Sequence, residues 1–173
     1  GIIGAVADII KVEEKYETAI ETALGGSIQN IVTDTQKTAK KMIEYLKKNR
    51  YGRVTFLPLD AVKGKEFARK EILLEPGVIG AANQLVIYDE VYKDLFASLL
   101  GQILVVKDMD AGIKIANKYH HSVRIVTLDG DSLNRGGAMS GGAFKNKSNL
   151  LGRSREVEEL KIDVNKAKPG VDI

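Results

Sequence analysis

Cysteine is absent from this chain, which excludes disulfides and thiolate chemistry and suits a reducing compartment. Long apolar runs are absent too: none approaches the roughly 20 residues that span a bilayer. Gly1-Ile2-Ile3-Gly4 lacks the basic region and cleavage pattern of a signal peptide. Neither sign of charge dominates: 26 Lys and Arg against 23 Asp and Glu leave a net charge of +3, too weak to imply a nucleic-acid partner without local clustering. There is no initiator Met, and Pro169-Gly170-Val171-Asp172-Ile173 continues no pattern. The chain is therefore expected to be a piece of a longer one, with residues 169–173 a frayed or appended tail. What is present is an ordinary globular balance, 44% hydrophobic and 28% charged, in 173 residues. That is enough for one sizeable soluble, intracellular domain, or two small ones sharing a core.

The periodicity is mixed α/β. Val6 to Val12 alternates as a strand, and Tyr16, Ala19, Ile20, Ala23 and Leu24 step as a helix that Gly25-Gly26 ends. Ile28 to Val32 reads as a strand. Asp34 or Thr35 caps a helix whose apolar face holds Ala39, Met42, Ile43 and Leu46, and whose other face carries Lys37, Lys40, Lys41, Lys47 and Lys48. Arg53 to Leu57 is a strand stopped by Pro58. Leu59 to Gly80 is an irregular connection with a short helical piece near Ala68 and a turn at Pro76-Gly77. A second cycle follows: strand Leu85–Tyr88, helix Val91 to Leu100 ended by Gly101, strand Ile103–Val106, helix Met109–Tyr119 with Ile113, Ile115 and Ala116 inward, and strand Val123–Leu128. Both cycles run helix, strand, Asp-capped helix, strand, which points to an internal duplication and two related lobes, with chance similarity as the alternative.

The most unusual segment is Arg135-Gly136-Gly137-Ala138-Met139-Ser140-Gly141-Gly142. Each Gly in regular structure costs roughly 0.5–1 kcal/mol relative to Ala, so four so close together need a reason. A Walker loop would need Lys-[Ser/Thr] after Gly142, where Ala143-Phe144 stand, and G-x-G-x-x-G is missing. A nucleophile elbow would need Gly at Ala138. His120 and His121, the only histidines, are adjacent and read as a solvated helix end rather than a metal pair. Scattered acids give no catalytic constellation. The mechanical reading remains: an edge strand that another backbone can approach, with Met139 adapting to a partner, or else a flexible loop. Basic residues cluster on the second helix and again at Lys145, Lys147, Arg153 and Arg155, where sequence-independent phosphate binding is the expectation. Val157, Leu160, Val164 and Ala167 have the spacing of a short coiled coil or an ordinary terminal helix.

Ala19-Ile20-Glu21-Thr22-Ala23-Leu24-Gly25-Gly26, Gly52 to Leu59, Arg124 to Asp131, the glycine-rich segment and Leu150 to Glu156 together resemble the hinge domain of structural maintenance of chromosomes (SMC) proteins, in its prokaryotic form. The resemblance implies an α/β (mixed α+β) fold of two related lobes, each a small sheet flanked by helices: lobe one over 1–80, lobe two over 81–152, and the start of a coiled coil over 153–168. It implies homodimerisation at Gly136, Gly137, Met139, Gly141 and Gly142, and weak DNA contact through Lys145 and Lys147, with Arg153 and Arg155 close by. Asn146 interrupts the basic stretch that the family often carries there. No catalytic residue, metal or cofactor is expected in this chain. The longer protein is expected to bind ATP and accessory subunits at a distant head, with no membrane, in the cytoplasm at the nucleoid, serving chromosome condensation and segregation. The competing expectation is an α/β ligand- or nucleotide-binding enzyme domain using the glycine-rich loop.

Overall fold

The computed structural model describes residues 1–143 together with Leu151, Gly152, Arg155 and Glu159. The first half runs β1 (Ile2–Ala5), β2 (Lys11–Val12), α1 (Glu17–Leu24), β3 (Ile31–Thr33), α2 (Gln36–Lys48) and β4 (Phe56–Pro58). After α3 (Lys70–Leu73) the second half runs β5 (Val78–Ala81), β6 (Val86–Ile87), α4 (Lys93–Leu100), β7 (Ile103–Val106), α5 (Met109–Lys118) and β8 (Arg124–Thr127), then adds β9 (Ser132–Leu133) and β10 (Met139–Ser140).

The two halves are copies of one unit. Ile3-Gly4-Ala5 recurs as Ile79-Gly80-Ala81, Tyr16 as Tyr92, and Leu24-Gly25 as Leu100-Gly101 at a constant offset. β1 pairs antiparallel with β3 across a bulge between Ile2 and Gly4, and β5 pairs with β7 across a bulge between Val78 and Gly80. β3–β4 and β7–β8 are both parallel. The copies join where β2 pairs antiparallel with β6. They differ in extent: one sheet is β1-β3-β4, the other β10-β9-β8-β7-β5.

β7 is buried along its whole length because both faces are covered, as its unbroken Ile-Leu-Val-Val run requires. Leu104 and Val106 face a core with Phe67, Ile72, Ile115 and Leu133 under α5. Ile103 and Val105 face a larger core with Ile20, Leu24, Leu95, Phe96 and Leu100, so α1 and α4 lie between the two sheets. Thr35 caps α2 by accepting the Thr38 N–H at 3.2 Å, while Asp34 holds the Thr38 hydroxyl at 2.7 Å. Asp108 caps α5 through the Ala111 N–H at 2.9 Å.

Several expectations are corrected. The first strand is Ile2–Ala5, not Val6–Val12: Asp8 turns back to accept the Ala5 N–H at 3.2 Å, and Val6–Asp8 becomes a 3₁₀ turn. Ile28 sits in another such turn, so β3 begins at Ile31. Pro58 does not stop β4 but ends it from within, which an edge position allows because proline has no N–H to leave unpaired. The strand expected over Leu85–Tyr88 shortens to Val86–Ile87, Leu85 closing a 3₁₀ turn. The connection 59–80 holds α3, just past Ala68, and the start of β5, too short an apolar run to stand out. Ile113 is exposed; the buried face of α5 is Ala111, Gly112, Ile115 and Ala116. On α2 only Ala39 is buried, and Ile43 is 40% exposed.

Candidate functional site

The glycine-rich segment forms the outer edge of the larger sheet. After β8 the chain turns at Gly130, whose N–H reaches the Thr127 carbonyl at 2.9 Å, and passes through β9. It reverses at Asn134–Gly137 and returns as β10, antiparallel to β9 with Met139 opposite Leu133. Gly136 and Gly137 have φ of 84° and 102°, consecutive positive values that only glycine takes without strain. At Gly141 the crowding is from a side chain: a Cβ there would stand 2.4 Å from Asp131 Oδ1, which would have to swing aside. Around Gly136 and Gly142 nothing lies within 4 Å of where a Cβ would be. Each of these glycines except Gly142, whose φ is 132°, thus has a local partner or turn that fixes it, and the surface they leave from Arg135 to Ala143 is exposed throughout.

Backbone polarity at this edge follows from the ladder. Asn134 N–H donates to the Ala138 carbonyl at 2.8 Å. Bonded and non-bonded pairs alternate in an antiparallel ladder, so Met139, next along, turns its N–H and C=O away from β9. Its side chain is 54% exposed. Unpaired backbone beside an adaptable apolar side chain is a template for another strand.

Sequence reasoning missed a second open edge. Ile31 donates to the Thr55 carbonyl at 3.0 Å and Leu59 to the Thr33 carbonyl at 2.9 Å, so residues 55, 57 and 59 face β3. Val54 and Phe56 therefore turn their backbone groups outward, and β4 ends its sheet. The signal was present in the unequal ends of the two repeats: nothing like β9 follows β4.

The loop does not form a phosphate cradle. Gly136 N–H is taken by the His121 carbonyl at 3.0 Å and Gly137 N–H by the Asn134 carbonyl at 3.1 Å, so neither is free to bind an anion. Beside it lies an open groove of about 420 Å³ lined in part by Arg124, Asn134 and Arg135. His120 and His121 both take positive φ, 57° and 54°, just after α5. Among the described residues no cluster of His, Cys, Asp or Glu could hold a metal ion, and no helix is long and apolar enough to cross a membrane.

Of the basic candidates, Lys145, Lys147 and Arg153 lie outside the described residues. Arg155 is described, and its guanidinium is surrounded by carboxylates: Nε donates to Glu17, Nη1 to Glu159 at 2.8 Å, and Nη2 lies 3.9 Å from Glu14. Those hydrogen bonds, Glu17's first, hold its pKa above the ordinary arginine value. Its charge is balanced within the protomer.

The chain matches the family described as SMC proteins Flexible Hinge Domain over residues 1–116. It is 46% identical over 169 residues to the chromosome partition protein Smc of Desulfitobacterium hafniense (strain Y51), covering 96% of this chain and 14% of that protein. This chain therefore spans about one-seventh of that relative's length. The fold is similar to the hinge domain of Geobacillus stearothermophilus SMC, solved as an asymmetric dimer, with a TM-score of 0.88 and 44% identity over 96% of this chain and 68% of that one. It is also similar to the Pyrococcus furiosus SMC hinge domain, with a TM-score of 0.70 and 35% identity over 86% of this chain and 76% of the other. With its duplicated unit, its glycine-built sheet edge and these relatives, the chain belongs to the family of SMC flexible hinge domains.

Proposed function

We propose that this chain is the pairing hinge of a chromosome partition protein, in which β10 of one protomer lies along β4 of its partner. The observation that carries this is the inequality of the two repeats. In the second, β9 extends the sheet beyond β8 and Leu133 covers α5: a Cβ on Gly112 would come within 3.1 Å of it. In the first, the sheet ends at β4 and the Ile43 side of α2 stays open. A strand from a second copy would supply there what β9 supplies in the other half. One such contact used twice closes a dimer and leaves neither edge free to propagate. The Geobacillus stearothermophilus hinge, described as a dimer, supports pairing.

On this reading the lobes are 1–80 and 81–152, residues 153–168 begin a coiled coil, and the chain has no enzymatic activity of its own. ATP hydrolysis and accessory subunits belong to a head elsewhere in the longer protein, which acts at the nucleoid. Lys145, Lys147 and Arg153 add weak, sequence-independent DNA contact. The deciding measurement is light scattering during size exclusion: a mass twice 18.9 kDa is expected, and a single protomer throughout the micromolar range overturns the proposal.

A further inference from the structure

Of the motif Leu150 to Glu156, the described residues Leu151 and Arg155 are built into the protomer against α1. Leu151 is 4% exposed and packs in the core that contains Ile20 and Leu24 of α1. Its N–H donates to Glu21 Oε1 at 3.3 Å, and Arg155 Nε donates to Glu17. Residue 151 therefore lies opposite 21, and 155 opposite 17, so Leu151 and Arg155 meet carboxylates one turn apart on α1 in antiparallel order. Glu17 is 5% exposed, on the same stripe as Ile20 and Leu24. A carboxylate buried there needs a cation, and among the described residues Arg155 supplies it; a charge left unpaired at such a site is strongly destabilising.

The other end of α1 is tied to the glycine-rich edge. Thr22 Oγ1 donates to the Gly130 carbonyl at 3.2 Å. Arg124 donates to the carbonyls of Ala23 and Thr22, both at 3.2 Å, and so caps the end of the helix. Gly130 precedes Asp131, whose carboxylate fills the space over Gly141. One short helix thus holds the C-terminal segment at its first turn and the turn beneath the sheet edge at its last.

We propose that α1 couples the two, with Arg155 as the positioning residue that seats the C-terminal segment. When Arg155 lets go, Glu17 is left buried and unpaired, α1 loosens, and the turn 129–131 with the edge 139–142 loosens too. Conversely, whatever stiffens that edge stiffens the seat, since coupling between sites is reciprocal. The inference does not require the chain to pair.

The test is hydrogen exchange on the full chain, with oligomeric mass recorded on the same samples. Arg155→Gln is expected to speed exchange about tenfold or more at Leu151, across α1 and across 129–142. Adding Glu17→Gln, which removes the stranded charge, is expected to slow α1 and 129–142 again. A merely local anchor would speed the C-terminal segment and leave 129–142 unchanged, and that result overturns the inference, as does no change anywhere. If Arg155→Gln does not fold, Thr22→Val reads the same link from the other end: faster exchange at Leu151 supports it, and unchanged exchange there overturns it.

Discussion

Met139→Asp is expected to split the dimer and leave the protomer folded. Met139 is 54% exposed, so about half of its side chain remains for a partner to cover. Full burial of such a side chain is worth roughly 1.5–3 kcal/mol, which leaves about 1 kcal/mol per contact. The contact is made twice, giving about 2 kcal/mol per dimer, or roughly 30-fold in Kd, before the new carboxylate's desolvation is added. Within the protomer the substitution sits on the surface, where effects stay within about 0.5 kcal/mol. Val54→Lys attacks the other proposed edge, at a side chain 41% exposed. Sedimentation equilibrium over a concentration series should show each variant dissociating alone. Mixed, they should pair again: a heterodimer keeps one unmodified contact and sets Asp against Lys in the other. Self-pairing of two β10 strands would instead leave Val54→Lys fully dimeric alone, and mixing would then restore nothing to it. Either result refutes the β10-to-β4 arrangement, and unchanged affinity in Met139→Asp removes β10 from the interface altogether.

Gly141→Ala should destabilise the protomer by pushing its new Cβ onto Asp131, and less so in an Asp131→Ala background; urea unfolding of the four chains should show that non-additivity. Lys145→Glu with Lys147→Glu should weaken binding to DNA of any sequence and flatten its salt dependence, read by anisotropy titration at several ionic strengths. Glu75 accepts from Lys118 Nζ at 2.5 Å and from the Tyr119 hydroxyl at 2.7 Å, and those bonds, Lys118's first, lower its pKa from 4.5. A depressed carboxylate stabilises the fold above its unfolded pKa and loses that contribution as pH falls through the folded value. The stability gap between the wild type and Glu75→Gln should therefore be full at neutral pH and shrink below about pH 4.5, by urea unfolding at stepped pH.

The strongly periodic elements were legible. Helices α1, α2, α4 and α5 and the buried strand β7 carry their own pattern, because a helix stripe or an unbroken β-branched run is a local property. What escaped depends on distant chain. Gly64 reads as a loop glycine, yet a Cβ there would lie 2.0 Å from Ser98 N on α4, and one on Gly101 would lie 2.4 Å from the Lys65 carbonyl. The glycine-rich segment was legible as an edge strand, but not the local settings of its glycines: Gly141 lies against Asp131, whereas Gly136 and Gly137 answer to a turn. β4 as an open edge could be found only by asking what the first repeat lacks. Arg155 looked like a phosphate ligand because Glu17 lies far from it in sequence; Glu17 on the apolar stripe of α1 was the available sign that a buried cation partner was needed.

The two copies differ at the places the proposed pairing would use. A unit duplicated unchanged would have two equivalent edges and two equivalent helix faces, and nothing would decide which edge meets which. The chain breaks both equivalences. β9 and β10 are added to one sheet only, so one sheet ends at β10 and the other at β4. On the helices, Glu17 and Glu21 of α1 have Lys93 and Ala97 as their counterparts on α4, so only α1 offers acids to Leu151 and Arg155. The matching face of α4 is crossed by the backbone at Gly64 instead, with Lys63 3.5 Å from Asp94. Each departure from the repeat gives one lobe a surface that the other lacks. A chain restored to symmetry, with Glu17→Lys and Glu21→Ala, should keep its sheets and lose the seat of its C-terminal segment, visible as faster exchange at Leu151 with an unchanged core; unchanged exchange there would mean the segment is held by something other than these acids.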